Sequence, residues 1–163
     1  MNRRSRGATL VELVITIVII SVAIAGVVGA FALLSGRSAD PLNETRAVAL
    51  AQLYMDEIIT QKYDDQTPQG GVPRYNGGCS IGPEGSETRS TFDDVDDYDG
   101  LNDSPPASAL SVLSGYSGFS VAVTVVCAGD EVGLPVSQAK RIDLTVSAPA
   151  DSQFVFSAYR ANF

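Results

Sequence analysis

The chain has 163 residues, with 11 lysines and arginines against 19 aspartates and glutamates, a net charge of −8, no histidine and two cysteines. Nucleic-acid binding calls for a basic stripe with interleaved aromatics, and Arg74, Arg89, Lys140, Arg141 and Arg160 are too few and too scattered to make one. With no histidine, no G-x-S-x-G elbow and no glycine-rich phosphate loop, only carboxylate pairs remain for catalysis, so the sequence does not point to an enzyme.

Arg3, Arg4 and Arg6 open the chain, Gly7 closes this basic stub, and Glu12 follows five residues later. The next 22 residues, 13–34, carry no charge. A run of this length suffices for a membrane-spanning helix, and the arginines orient it with the N-terminus in the cytoplasm. A carboxylate at membrane depth costs roughly 2.5–3.5 kcal/mol, so Glu12 requires something that stabilises it. The order is also the reverse of a secretory signal, whose apolar region precedes the cut and is lost. Cleavage after Gly7 would remove the arginines and leave the apolar helix on the mature chain, with 8 basic residues against 19 acidic ones. An uncleaved signal anchor is the simpler alternative, but an anchor has no use for Glu12.

The run Gly7-Ala8-Thr9-Leu10-Val11-Glu12-Leu13-Val14-Ile15 resembles the prepilin signature of type IV pilins and type II secretion pseudopilins. The resemblance implies cleavage between Gly7 and Ala8 by a membrane prepilin peptidase, N-methylation of Ala8, and a filament-assembly role for Glu12. Many members of the family have phenylalanine where Ala8 stands, which makes the methylation less secure than the cut. The freed Ala8 ammonium and the Glu12 carboxylate of a neighbouring subunit would neutralise each other, and in low dielectric such a pair is far stronger than at a surface. Ile15, Ile19, Val22, Ile24, Val28 and Phe31 would then pack helix on helix in a filament core. Gly26 and Gly29 fit close packing of this kind better than a stretch that unwinds on extraction.

Asp40, Pro41 and Glu44 give the start of a second helix, as N-cap, first-turn proline and dipole complement. It is expected to run to about Lys62, with Ala47, Leu50, Ala51, Tyr54 and Ile58 as its apolar stripe. In the resembled family this is the second half of one long helix, so Asp40-Pro41 is either a kink or a fresh start. Near the C-terminus three runs alternate with period two: Phe119, Val121, Val123 and Val125; Ile142, Leu144 and Val146; Phe154 and Phe156. Turn residues at 129–135 and 149–152 separate them. The fold class is therefore α+β, similar to the type IV pilin fold, with an N-terminal helix and an antiparallel sheet of three or more strands. The divisions are a leader at 1–7, a membrane or filament-core helix at 8–36 and an exported domain at 37–163, itself made of helix 37–65, a loop region 66–115 and a sheet region 116–163.

Cys79 and Cys127 are expected to form a disulfide, since an exported domain meets an oxidising compartment. Within the loop region, residues 92–103 hold six aspartates. Such hard oxygen clusters suit calcium, with Asp94, Asp96, Asp97 and Asp99 as candidate ligands, but the spacing fails the EF-hand pattern. The preferred reading is a solvated acidic loop without a cofactor, anchored by Phe92, Tyr98 and Leu101.

The leading function from resemblance is a structural, minor subunit of a type IV pilus, similar to a minor pilin of the mannose-sensitive haemagglutinin type. Its partners would be other pilin subunits, prepilin peptidase and the inner-membrane assembly platform. It would sit first in the inner membrane with its domain periplasmic, then in the pilus at the cell surface. A type II secretion pseudopilin is the alternative within filament systems. A membrane-tethered adhesin or binding module is the alternative outside them.

Overall fold

The computed structural model describes residues 9–37, 40–68 and 70–163. Helix α1 spans Leu10–Arg37 and helix α2 spans Asp40–Ile59. Whether one helix runs through to Asp40 depends on residues 38 and 39, which lie outside the described set. Four strands follow, β1 Asn102–Asp103, β2 Ser120–Cys127, β3 Ala139–Ala148 and β4 Ser152–Ala161, in an antiparallel sheet of order β1-β2-β3-β4. An apolar N-terminal helix, a second helix and a four-stranded antiparallel sheet make an α+β, pilin-like layout. Contacts divide the chain into two units, Met1–Leu42 and Asn43–Phe163.

In the first unit, α1 is apolar on every side and its described side chains are exposed. A helix of that composition is built to be covered by lipid or other helices. It continues unbroken through Gly26 and Gly29.

In the second unit the expected stripe of α2 forms the core with the sheet. Ala47, Leu50, Ala51, Tyr54 and Ile58 are buried together with Val121, Val123, Val125, Ile142, Leu144 and Val146. The register explains why. Val121, Val146 and Phe154 lie in one row across the strands, Val123, Leu144 and Phe156 in the next, so one parity of each strand faces the helix. Burial of each large aliphatic side chain stabilises by about 1.5–3 kcal/mol, which is why this parity fixes the register. In the β2–β3 connection, a Cβ on Gly129 would collide with the Pro135 carbonyl, so only glycine fits there.

Helix α2 ends at Ile59, three residues short of the expected Lys62. The backbone there has another partner. Lys62 N–H donates to the Asp93 carbonyl at 3.3 Å and Val95 N–H donates to the Lys62 carbonyl at 3.1 Å, so the acidic segment pulls the chain out of helical geometry. Strand β1 is also additional to the three expected strands. Its two residues pair with Ala122 and Val121.

Candidate functional site

Two regions carry candidate function: the start of α1 and the acidic segment around Asp94. At the first, Thr9 precedes the helix and its Oγ1 accepts a hydrogen bond from Glu12 N–H at 3.3 Å, while its carbonyl accepts from Leu13 N–H at 3.1 Å. Thr9 is thus the N-cap and Glu12 the third helical residue, the spacing of a capping box, where an acid also complements the helix dipole. That T-x-x-E signal was available in the sequence. The Glu12 side chain is exposed in the first turn, immediately before the uncharged run begins at Leu13. Thr16 and Ser21 donate their hydroxyls to the carbonyls of Glu12 and Ile17 at 2.7 and 2.8 Å, so these two polar groups are satisfied within the helix. Leu10–Ala32 is long and apolar enough to cross a membrane, at about 35 Å against a hydrocarbon core of roughly 30 Å. Gly7 and Ala8 lie outside the described residues.

Residues 2–28 match the prokaryotic N-terminal methylation motif. The match supports a type IV pilin-like or pseudopilin protein, whose members are typically structural, processed by prepilin peptidase and assembled with other pilin subunits. It covers the residues ahead of α1 from residue 2 onward and most of α1. No curated protein and no solved structure gives a match, and the finer likeness to a mannose-sensitive haemagglutinin minor pilin finds no support here.

The acidic segment differs from expectation. It is not a solvated loop: Asp94 and Asp96 are fully buried and Asp97 is 1 % exposed. Two features permit this. First, the carboxylates cap their own backbone. Asp94 Oδ1 accepts from Asp96 N–H and Asp97 N–H at 2.9 and 3.3 Å, and Asp97 Oδ2 accepts from Asp93 N–H and Asp94 N–H at 2.8 and 3.1 Å. Second, a buried cation meets them. Lys140 of β3, fully buried, donates from Nζ to Asp96 Oδ1 and to the Tyr63 carbonyl at 2.7 Å, with Asp64 Oδ2 at 3.8 Å and the Tyr63 ring centroid at 4.7 Å. Burial pushes the Asp94 carboxyl up, and pushes Asp96 up against the opposing pull of Lys140. Lys140 is therefore not a surface base. It shares the inward parity of Ile142, Leu144 and Val146, and this alternation was the overlooked sign.

The other expected anchors hold. Tyr98 is buried, Phe92 and Leu101 pack on the core, and Phe92 meets Tyr98 edge to face at 5.2 Å. Asp99 serves the sheet, its Oδ1 accepting from Val125 N–H at 2.8 Å. Arg89 stacks 4.9 Å from the Tyr98 ring centroid and pairs with Glu57 of α2 at 3.1 Å. Tyr54 of α2 donates to Asp103 Oδ2 at 2.6 Å and accepts from Ala107 N–H at 2.8 Å. Cys79 and Cys127 are joined in a disulfide, which ties the loop region to the end of β2. Arg141 pairs with Glu131 and Asp143, so three of the five scattered basic residues are neutralised by neighbouring acids.

Proposed function

We propose that this chain is a structural subunit of a type IV pilus, a minor one, inserted as an inner-membrane precursor and drawn into a helical filament by its first helix. The observation that carries the reading is the methylation motif running into an apolar helix whose sole acid is Glu12. In this account residues 1–7 are a leader, cut between Gly7 and Ala8, and Ala8 is methylated. The new amine then pairs with Glu12 of an adjoining subunit and sets axial register. Before assembly the domain at 37–163 is periplasmic; afterwards it faces the cell surface. Glu12 has a local role as well, in the first turn after the Thr9 cap, worth about 0.3–1 kcal/mol to the helix terminus.

The test separates these roles. Sheared filaments from cells expressing wild type, Glu12→Ala and Glu12→Gln are probed for the subunit, with the membrane pool as reference. Glutamine retains the size of the side chain and removes only the charge. Both variants should accumulate in membranes and enter filaments at least about tenfold less often, the result of losing a pair in low dielectric. Wild-type incorporation of Glu12→Gln would confine Glu12 to helix capping and remove it from assembly.

A further inference from the structure

The segment carrying residues 84–87 lies against the turn at 93–97, and carboxylates converge there. One oxygen each from Glu84, Glu87 and Asp97 lies within 4.8 Å of the other two, and the same holds for Asp93, Asp94 and Asp97 and for Glu84, Asp94 and Asp96. Two of these acids have cationic partners. Lys62 Nζ lies 2.7 Å from Asp93 and Lys140 pairs with Asp96. Among the described residues no ion pair reaches Glu84, Glu87, Asp94 or Asp97.

A second observation is independent of this proximity. Asp94 Oδ2, Asp97 Oδ1 and Glu87 Oε2 are buried and no N–H or hydroxyl donates to them, although Asp94 and Asp97 belong to side chains at least 99 % buried; Glu87 and Asp97 instead meet carboxyl to carboxyl. The other oxygen of each aspartate is fixed by two backbone N–H groups, so the orientation of both carboxylates is set before any ligand arrives. An uncompensated buried carboxylate costs several kcal/mol, and neighbouring ones add repulsion. A divalent cation with oxygen coordination relieves both.

We propose that Glu84, Glu87, Asp94 and Asp97 form a calcium site, bordered by Asp93 and Asp96. The chemistry selects the ion. All donors are carboxylate oxygens, the chain has no histidine, and both cysteines are in the disulfide, which removes the softer metals. Calcium takes oxygens at about 2.3–2.6 Å, so ligands on opposite sides of one ion stand about 4.8 Å apart; magnesium at about 2.0–2.1 Å needs a tighter and more regular cage. The ligand set differs from the four aspartates that the sequence suggested, because Asp96 is bound to Lys140 and Asp99 to Val125, while Glu84 and Glu87 come from a segment ahead of the aspartate run. A bound ion would clamp residues 84–87 to the turn that rests on Lys140. The site stands independently of the filament reading.

The experiment uses the full chain, solubilised in detergent, stripped with EDTA and dialysed. Calcium chloride and magnesium chloride are titrated calorimetrically, and thermal melts are recorded with each. One calcium should bind with a dissociation constant of about 1 mM or tighter, the range of extracellular modules, and should raise the melting temperature more than equal magnesium does. Glu84→Gln and Glu87→Gln should each weaken calcium about tenfold, with unchanged or higher melting temperatures in EDTA because a repelling charge is gone. Asp130→Asn, on the exposed β2–β3 connection, should titrate as wild type. No saturable heat and no melting shift at about 10 mM calcium would overturn the site. So would an equal response to magnesium, or glutamine variants with unaltered calcium affinity. Variants destabilised equally in EDTA and in calcium would show a cluster that is only structural.

Discussion

Replacing Lys140 with methionine probes the buried ion pair of the folded domain. Methionine preserves an unbranched side chain of similar length and removes the charge. In the wild type the ammonium is fully buried, pairs with Asp96, donates to the Tyr63 carbonyl at 2.7 Å and faces Asp64 at 3.8 Å. Its loss strands two buried carboxyls and one carbonyl. Removing one partner of a buried pair costs about 3–5 kcal/mol, and protonation of the orphaned Asp96 relieves part of this, so about 3 kcal/mol is the expected figure. A unit of about 120 residues has an unfolding entropy near 250 cal/mol/K, so its melting temperature should fall by about 12 °C. All six tyrosines lie in residues 43–163 and the chain has no tryptophan, so near-UV circular dichroism of the solubilised full chain reports on this unit without interference from α1. Adding Asp96→Asn to Lys140→Met should restore at least half of the loss. A single variant melting within about 2 °C of wild type, or a double variant no better than the single, would refute a buried ion pair that supports the fold.

Two further outcomes concern stability. Ala150 and Asp151, in the β3–β4 turn, have φ of 66° and 59°, a region that penalises a Cβ by about 1–2 kcal/mol. Ala150→Gly should therefore stabilise by about 0.5–1 kcal/mol after the entropy of glycine is subtracted, read as a rise of a few degrees in the same melt; a fall would show that the turn is not strained. Cys79 and Cys127 are 48 residues apart in the chain, and the loop they close is worth about 4 kcal/mol by chain entropy. Cys79→Ser with Cys127→Ser should lower the melting temperature by about 16 °C, and an unchanged melt would make the bond dispensable.

The layout was legible because its elements obey simple periods. Ala47, Leu50, Ala51, Tyr54 and Ile58 recur at helical spacing and are all buried, and alternation at Val121–Val125 and Ile142–Val146 gave the parity of β2 and β3. The end of α2 was not legible. Lys62 has no local reason to leave the helix, and what draws its backbone away is Asp93 and Val95, some 30 residues on. Strand β1 has two residues, too few for any period. The acidic turn misled for a different reason. Aspartates are usually solvated, and their burial here depends on Lys140, 44 residues beyond Asp96. A lysine kept in step with Ile142, Leu144 and Val146 was the one local hint. At the N-terminus the reading rests on the resemblance of residues 7–15 to the prepilin signature and on the match of residues 2–28 to the methylation motif, and the structure adds the Thr9 cap.

The central claim is that a peptidase frees the amine on which assembly relies. Its most direct test is the intact mass of the protein extracted from membranes of cells with active prepilin peptidase. The account predicts a chain that begins at Ala8, lacks residues 1–7 and carries one added methyl group. An intact Met1 leader in such cells would contradict it.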